Sequence, residues 1–186
     1  ISSSNYIINE YLDRHFDVFH PHKKYRPAPA GKTIFNKMIL SYLFFLSLGL
    51  FTAHSLNPFF FKVALLFALS GYFYNIQPFR TKDRIYLDVL TEGINNPIRL
   101  LAGWYTLGPQ HFLPSSHLLL AYWMLGCFFM ALKRFAEMRS IGNSDRALLY
   151  RASLGIYSET SLLVSSFFYG SFSLLFLGGI FLKHHV

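Results

Sequence analysis

"MILSYLFFLSLGLFTA", residues 38–53, is sixteen residues without a charge. With its flanks, Asn36 to Asn57, it is long enough to cross the apolar core of a bilayer as a helix. Four further stretches are candidate spans: Pro58–Ile76, where Lys62 is near enough to one end to snorkel, then the unusually polar Asp88–Leu107, His117–Ala136 and Tyr157–Leu182. Residues 1–13 resemble the end of an earlier helix. The expectation is an all-α, polytopic transmembrane bundle with five to six spans, in a single membrane domain over residues 1–186.

Composition agrees. Of 186 residues, 53% are hydrophobic and 19% aromatic, and only 14% are charged, against roughly 25% in soluble domains. Mean hydropathy is only +0.32, so polar residues must be concentrated in places. The net charge of +8 lies in every second connection. Lys23, Lys24, Arg26, Lys32 and Lys37 fall in 18–37, Arg80, Lys82 and Arg84 in 77–87, and Arg139, Arg146 and Arg151 in 137–151, just after Lys133 and Arg134. The intervening connections, His54–Pro58 and Gly108–Ser116, have no Lys or Arg. That alternation places the basic loops in the cytoplasm and makes the chain an integral protein of an inner or cytoplasmic membrane. It also argues against nucleic acid as partner. The single cysteine, Cys127, excludes an intrachain disulfide and a Cys-based zinc site, and reads as a small buried hydrophobe.

The densest polar stretch is "NEYLDRHFDVFHPHKKYRPAPAG", residues 9–31. Asn9, Asp13 and Asp17 recur at i, i+4, i+8, which puts them on one helix face; Glu10 is beside Asn9. Carboxylates stacked this way repel unless a cation bridges them. Hard oxygen ligands suit Mg2+, which binds one or two carboxylates plus phosphate oxygens. The following Lys23, Lys24 and Arg26 are suited to holding phosphate. A solvated helix end beside a charged loop would carry similar residues.

This stretch resembles the first signature of the UbiA superfamily of intramembrane prenyltransferases, N-D-x-x-D-x-x-x-D followed by His-Pro-x-Lys-x-x-Arg-Pro-x-x-x-Gly. Asn9, Asp13, Asp17, His20, Pro21, Arg26, Pro27 and Gly31 fall on it, and Glu10 replaces an Asp. The resemblance implies nine helices in a complete member, a cavity opening to the cytoplasm, and Mg2+ held on a donor diphosphate by Asn9, Glu10, Asp13 and Asp17. It covers the middle of such a member, so a segment of a longer protein is expected; the text also opens without Met, inside what reads as an element.

Two more polar islands follow. Asp88, Glu92, Asn95, Asn96 and Arg99 form one stripe of an otherwise apolar span, and a charge at bilayer depth requires a partner or a wet cavity. Tyr74 and Asp88, bracketing the basic Arg80 and Lys82, loosely resemble the family's Tyr-x-x-x-x-Lys-x-x-x-x-x-Asp segment. In "FFMALKRFAEM" (128–138) the family's second motif, D-x-x-x-D, is replaced by Lys133 and Glu137. That variation resembles the branch typified by decaprenyl-phosphate phosphoribosyltransferase, as do Tyr150, Arg151 and Tyr157. It implies that Asp13, Asp17, Lys133 and Glu137 are catalytic. Lys23, Lys24, Arg26, Lys82, Asp88, Glu92, Arg99, Arg134 and Arg151 would bind substrate. The implied reaction is phosphoribosyl transfer from phosphoribosyl diphosphate to a polyprenyl phosphate. The alternatives are prenyl transfer from a prenyl diphosphate to an aromatic or lipid acceptor, and a catalytically silent subunit of a larger membrane complex.

Elsewhere, His54, His111 and His117 read as interfacial, His184 and His185 as a solvated tail, and Trp104, Tyr105, Tyr122 and Trp123 as an interface belt or helix packing. No Gly-rich nucleotide loop, nucleophile elbow or internal repeat is present.

Overall fold

The computed structural model describes residues 1–107 and 112–184; His111 and His185 lie outside the described residues. All regular structure among the described residues is helical: α1 (Ser2–Leu12), α2 (Arg14–Asp17), α3 (Phe35–Leu56), α4 (Pro58–Asn75), α5 (Leu87–Gly93), α6 (Asn95–Leu107), α7 (Ser116–Ile141), α8 (Ser144–Tyr150) and α9 (Glu159–His184), with 3-10 turns at Lys23–Tyr25, Thr81–Asp83 and Ala152–Gly155. The all-α bundle expected from the apolar runs is what forms.

Among the described residues, three helices are long and apolar enough to cross a membrane: Phe35–Leu56, Ser116–Ile141 and Glu159–Leu182. That is fewer than the five to six spans expected. α4 has 18 residues and includes Lys62 and a polar C-terminal turn. The third expected span is broken at Ile94 into two helices. The break follows from Pro97, which cannot donate to the carbonyl four residues back and whose ring collides with it; that carbonyl belongs to Gly93.

Local sequence sets several boundaries. Asn57 Oδ1 accepts the Phe60 N–H at 2.7 Å and Pro58 opens α4, an N-cap followed by a proline whose missing donor costs nothing there. α7 runs five residues past the expected Ala136 and stops at Gly142, whose φ of 66° permits the left-handed turn that returns its N–H to Met138 O. Asn143 then caps α8 through the Arg146 N–H at 2.9 Å. The segment 137–151, expected as a loop, is therefore mostly helix.

α9 packs along α7, with Tyr169 joining Val89, Cys127 and Ala131 in one buried cluster and Ser173 Oγ donating to Ala121 O at 3.0 Å. Cys127 is fully buried, as its apolar setting predicted. α5 meets α7 at paired glycines: a Cβ on Gly126 would lie 2.6 Å from the Gly93 carbonyl oxygen, and one on Gly93 would lie 2.6 Å from Cys127 Sγ. Small residues allow such close backbone approach in apolar surroundings. α4 and α6 join through Val63, Ile98 and Tyr105, with Asn57 Nδ2 donating to Tyr105 O at 3.0 Å. The outward faces of α3 and α9 stay apolar and exposed, as at Leu40, Phe51, Phe167 and Leu174. Side chains of this kind suit a lipid solvent.

Candidate functional site

The ionic residues gather where α1, α2, the 77–87 connection, the C-terminal part of α7 and α8 converge. The first cluster grows from α1. The i to i+4 backbone bonds continue across the α1–α2 joint, Asp13 N to Asn9 O at 2.9 Å and Asp17 N to Asp13 O at 2.8 Å, so Asn9, Asp13 and Asp17 do lie one turn apart. Lys82 Nζ reaches Asp13 Oδ1 at 2.6 Å, Asn75 Oδ1 at 2.8 Å and Asn9 Oδ1 at 3.2 Å. Arg80 adds Nη2 to Asp13 Oδ1 at 3.1 Å and Nε to Asp83 Oδ2 at 2.5 Å. Arg80 adopts the left-handed region at φ 30°, a strained setting for a non-glycine residue that is held by these two carboxylates.

The second cluster centres on Arg134, which is fully buried. Its Nε donates to Asp88 Oδ2 at 3.0 Å, Nη1 to Glu137 Oε2 at 2.7 Å, and Nη2 to Glu92 Oε2 at 2.7 Å and Tyr74 OH at 3.0 Å. Each carboxylate has further support. Asp88 accepts from Tyr157 OH at 2.8 Å and Ser153 Oγ at 3.1 Å. Glu92 pairs with Lys133 at 3.0 Å and accepts from Tyr74 at 2.6 Å. Glu137 pairs with Lys23 at 2.9 Å and accepts from Tyr150 at 3.1 Å, and Lys23 also donates to Tyr150 OH. Ser153 Oγ, within reach of both Asp88 and the Lys82 carbonyl, links the two clusters.

Among the described residues, two buried atoms here have no hydrogen-bond partner: Asp17 Oδ2 and Arg151 Nε. Arg26 Nη1 is 3.7 Å from that Asp17 oxygen, too far to bond. The Arg151 guanidinium makes one bond, from Nη1 to Tyr74 OH at 3.0 Å. Unsatisfied buried polar groups are rare in folded proteins and often mark a place for an ion or ligand. An open carboxylate oxygen suits a cation, and an open guanidinium N–H suits an anionic oxygen.

Burial raises the Asp17 carboxyl above the usual carboxylate range; Lys23 pulls it down and Asp13 adds to the rise. Burial also lowers the Lys82 ammonium to about 8, against the pull of Asp13. His20, whose Nδ1 accepts the backbone N–H of His22 at 3.1 Å and of Lys23 at 3.3 Å, is held down at about 4, first by burial and then by Lys23. A neutral His20 thus shapes the turn that presents Lys23.

The structure brings most of the expected residues together, with four differences. Glu10 stands apart from Asn9, Asp13 and Asp17: its Oε1 accepts the Ala28 N–H at 3.2 Å, and it lines a separate groove with Lys32 and Lys37. Lys24 is exposed, its ammonium 5.0 Å over the Tyr25 ring. Arg99 is exposed too, 5.6 Å from the Phe67 ring and beside Asn96, Tyr122 and Phe129. Arg134 and Asp88 are fully buried and paired with each other. Sequence reasoning missed Asn75, a buried amide at the end of an apolar helix, which was its only signal. It also missed the pairing of Arg80 with Asp13.

Among the described residues, no three His, Cys, Asp or Glu side chains form a metal-binding cluster. The fit to a hard cation rests instead on two carboxylates and an amide, Asp13, Asp17 and Asn9, with the Asp17 oxygen open; phosphate oxygens would complete the set.

Solved structures of a UbiA homolog from Archaeoglobus fulgidus have the same fold. The form bound to DMAPP and Mg2+ gives a TM-score of 0.83 at 20% identity, covering 97% of this chain and 62% of that one. The form bound to GPP and Mg2+ gives 0.83 at 21%, covering 97% and 62%. The form bound to Cd2+ gives 0.78 at 20%, covering 97% and 61%. This chain thus spans about three-fifths of the length of that homolog. No curated protein sequence matches it. The sequence profile of the UbiA prenyltransferase family matches residues 1–185, and the chain belongs to that family.

Proposed function

We propose that the chain carries out Mg2+-dependent transfer of a phosphoribosyl group from phosphoribosyl diphosphate to a polyprenyl phosphate, with its site facing the cytoplasm. The observation that carries this reading is the pair of open buried atoms, Asp17 Oδ2 and Arg151 Nε. A metal-bound diphosphate has one partner for each. Magnesium with a prenyl diphosphate is what the Archaeoglobus homolog binds, and a diphosphate is common to both donors.

The choice of a ribosyl donor follows from what surrounds those atoms. Lys133 is half exposed and paired with Glu92, and Tyr74, Tyr150, Glu92 and Glu137 place polar atoms around Arg134 and Lys23. Such polar surroundings suit the hydroxyls and extra phosphate of a sugar better than an apolar tail. Asn9, Asp13 and Asp17 would hold Mg2+, which neutralises charge on the leaving diphosphate. Lys23, Arg26, Lys133 and Arg151 orient the phosphates and stabilise negative charge as it builds on the leaving group. Glu137 holds Lys23 and Arg134 in place. The acceptor is the phosphate oxygen of a lipid that reaches the site from the bilayer.

A second reading, prenyl transfer to an aromatic or lipid acceptor, is favoured by the prenyl diphosphates bound to the homolog. Calorimetry on the purified protein separates the two, comparing phosphoribosyl diphosphate with geranylgeranyl diphosphate, each with and without Mg2+. The proposal expects binding of the ribosyl donor alone, lost in Asp13→Asn and Asp17→Asn. Preference for the prenyl donor would overturn it, as would full phosphoribosyl transfer by both variants.

A further inference from the structure

Lys82 is bonded to two of the side chains proposed to hold the metal. Its ammonium has three hydrogens and three oxygen acceptors: Asp13 Oδ1 at 2.6 Å, Asn75 Oδ1 at 2.8 Å and Asn9 Oδ1 at 3.2 Å. Two of these oxygens belong to the proposed metal-binding set. The Lys82 side chain is only 2% exposed, so the ammonium is fully satisfied inside the protein and not shared with water. Arg80 Nη2 is a second cation on the same Asp13 oxygen, at 3.1 Å. Asp17 Oδ2, buried and without a hydrogen bond, remains open.

We infer that Lys82 is an internal counter-ion that locks the metal ligands until a diphosphate arrives, so that metal and diphosphate bind together and neither binds well alone. This rests on the proposed reading of the site. Two cations already share Asp13, and a divalent ion entering among them meets repulsion in a poorly screened setting. A diphosphate reverses the balance, since it offers Lys82 anionic oxygens in exchange for those of Asn9 and Asp13. The flexible four-carbon stem of lysine allows the ammonium to change partners. The backbone meanwhile stays fixed, with Ser153 Oγ bonded to the Lys82 carbonyl at 3.2 Å and Arg80 tied to Asp83.

The lock makes the effects of one substitution opposite in sign. Lys82→Met should bind metal alone more tightly and diphosphate more weakly. A like charge a few ångströms away typically shifts a cation-binding equilibrium by one to three decades, so the gain in metal affinity should be at least about tenfold.

The experiment titrates the purified full chain in detergent with Mn2+, read by the loss of the free-ion EPR signal, with and without inorganic pyrophosphate. In the unsubstituted protein, Mn2+ alone should bind weakly, and pyrophosphate should tighten it by about tenfold or more. In Lys82→Met, Mn2+ alone should bind at least about tenfold tighter, with most of the pyrophosphate effect gone. Lys82→Gln, which removes the charge but keeps an amide donor for Asn75, guards against misfolding and should behave alike. Mn2+ affinity that is unchanged or weaker in both variants overturns the lock, and so does the absence of coupling in the unsubstituted protein. Mn2+ binding that is absent from every form, or indifferent to Asp13→Asn and Asp17→Asn, refutes the metal site itself and the lock with it. Loss of Mn2+ in Asp17→Asn without a gain in Lys82→Met refutes the lock alone.

Discussion

Replacing Arg134 by methionine tests whether the buried network is framework or substrate contact. Arg134 is fully enclosed and faces Asp88, Glu92 and Glu137, whose side chains are 0%, 22% and 8% exposed. Removing one partner of a buried ion pair costs about 3–5 kcal/mol, because an uncompensated charge stays behind. Here the loss falls unevenly. Glu92 keeps Lys133 and Glu137 keeps Lys23. Among the described residues, Asp88 loses its one ion-pair partner and retains the hydroxyls of Tyr157 and Ser153. The expected destabilisation is therefore about 3 kcal/mol, the low end of that range. At about 2–4 °C per kcal/mol for a chain of this size, the melting temperature should fall by roughly 6–12 °C. The assay is a thermal melt of the detergent-solubilised protein followed by circular dichroism. Asp88→Asn in the Arg134→Met background should restore part of the loss, since the stranded carboxylate is then gone. An unchanged melting temperature in Arg134→Met, or a double variant less stable than Arg134→Met alone, would refute the reasoning.

The paired glycines and His20 give two more expectations. Gly126→Ala puts a methyl group 2.6 Å from the Gly93 carbonyl oxygen and should cost about 1–3 kcal/mol by overpacking; Gly103→Ala, with nothing within 4 Å, should leave stability equal or raise it by about 0.5–1 kcal/mol, both read from the same melts. The folded protein holds His20 at about 4, while the unfolded chain has it near 6.5, so between those values the unfolded state binds more protons and stability falls as pH drops through the window. His20→Asn keeps an acceptor for the His22 and Lys23 N–H groups, and should flatten that part of the stability profile measured from pH 7 to pH 4.

Apolar runs and caps are local signals, which is why α3, α4 and α9 were legible in the sequence. The one-turn spacing of Asn9, Asp13 and Asp17 was equally legible, since backbone periodicity alone decides it. The C-terminal end of α7 was not, because the charges from Lys133 onward interrupt the apolar run, and nothing local shows that Arg134 and Glu137 are buried by ion pairing. Nor was the break at Ile94, although Pro97 is visible; proline bends some helices and ends others according to what packs around them. Which carboxylate meets which cation depends on contacts between distant elements. Glu10 and Asn9 are neighbours in sequence, yet one serves the Ala28 backbone and the other Lys82.

The pairing of Lys23 with Glu137 joins positions 114 apart, and that of Lys82 with Asp13 joins positions 69 apart. Ribosomes add about 5–20 residues per second, so Asp13 waits roughly 3–14 s for Lys82 to be made, and Lys23 waits roughly 6–23 s for Glu137. During that interval the nascent chain carries these acids and bases without their final partners. Only when residues beyond Arg151 have emerged can the ionic cluster close. Closure of the whole cluster therefore waits on the synthesis of α8, and a ribosome stalled before it would leave Lys23 and Arg134 without Glu137 or Tyr150 in their final setting.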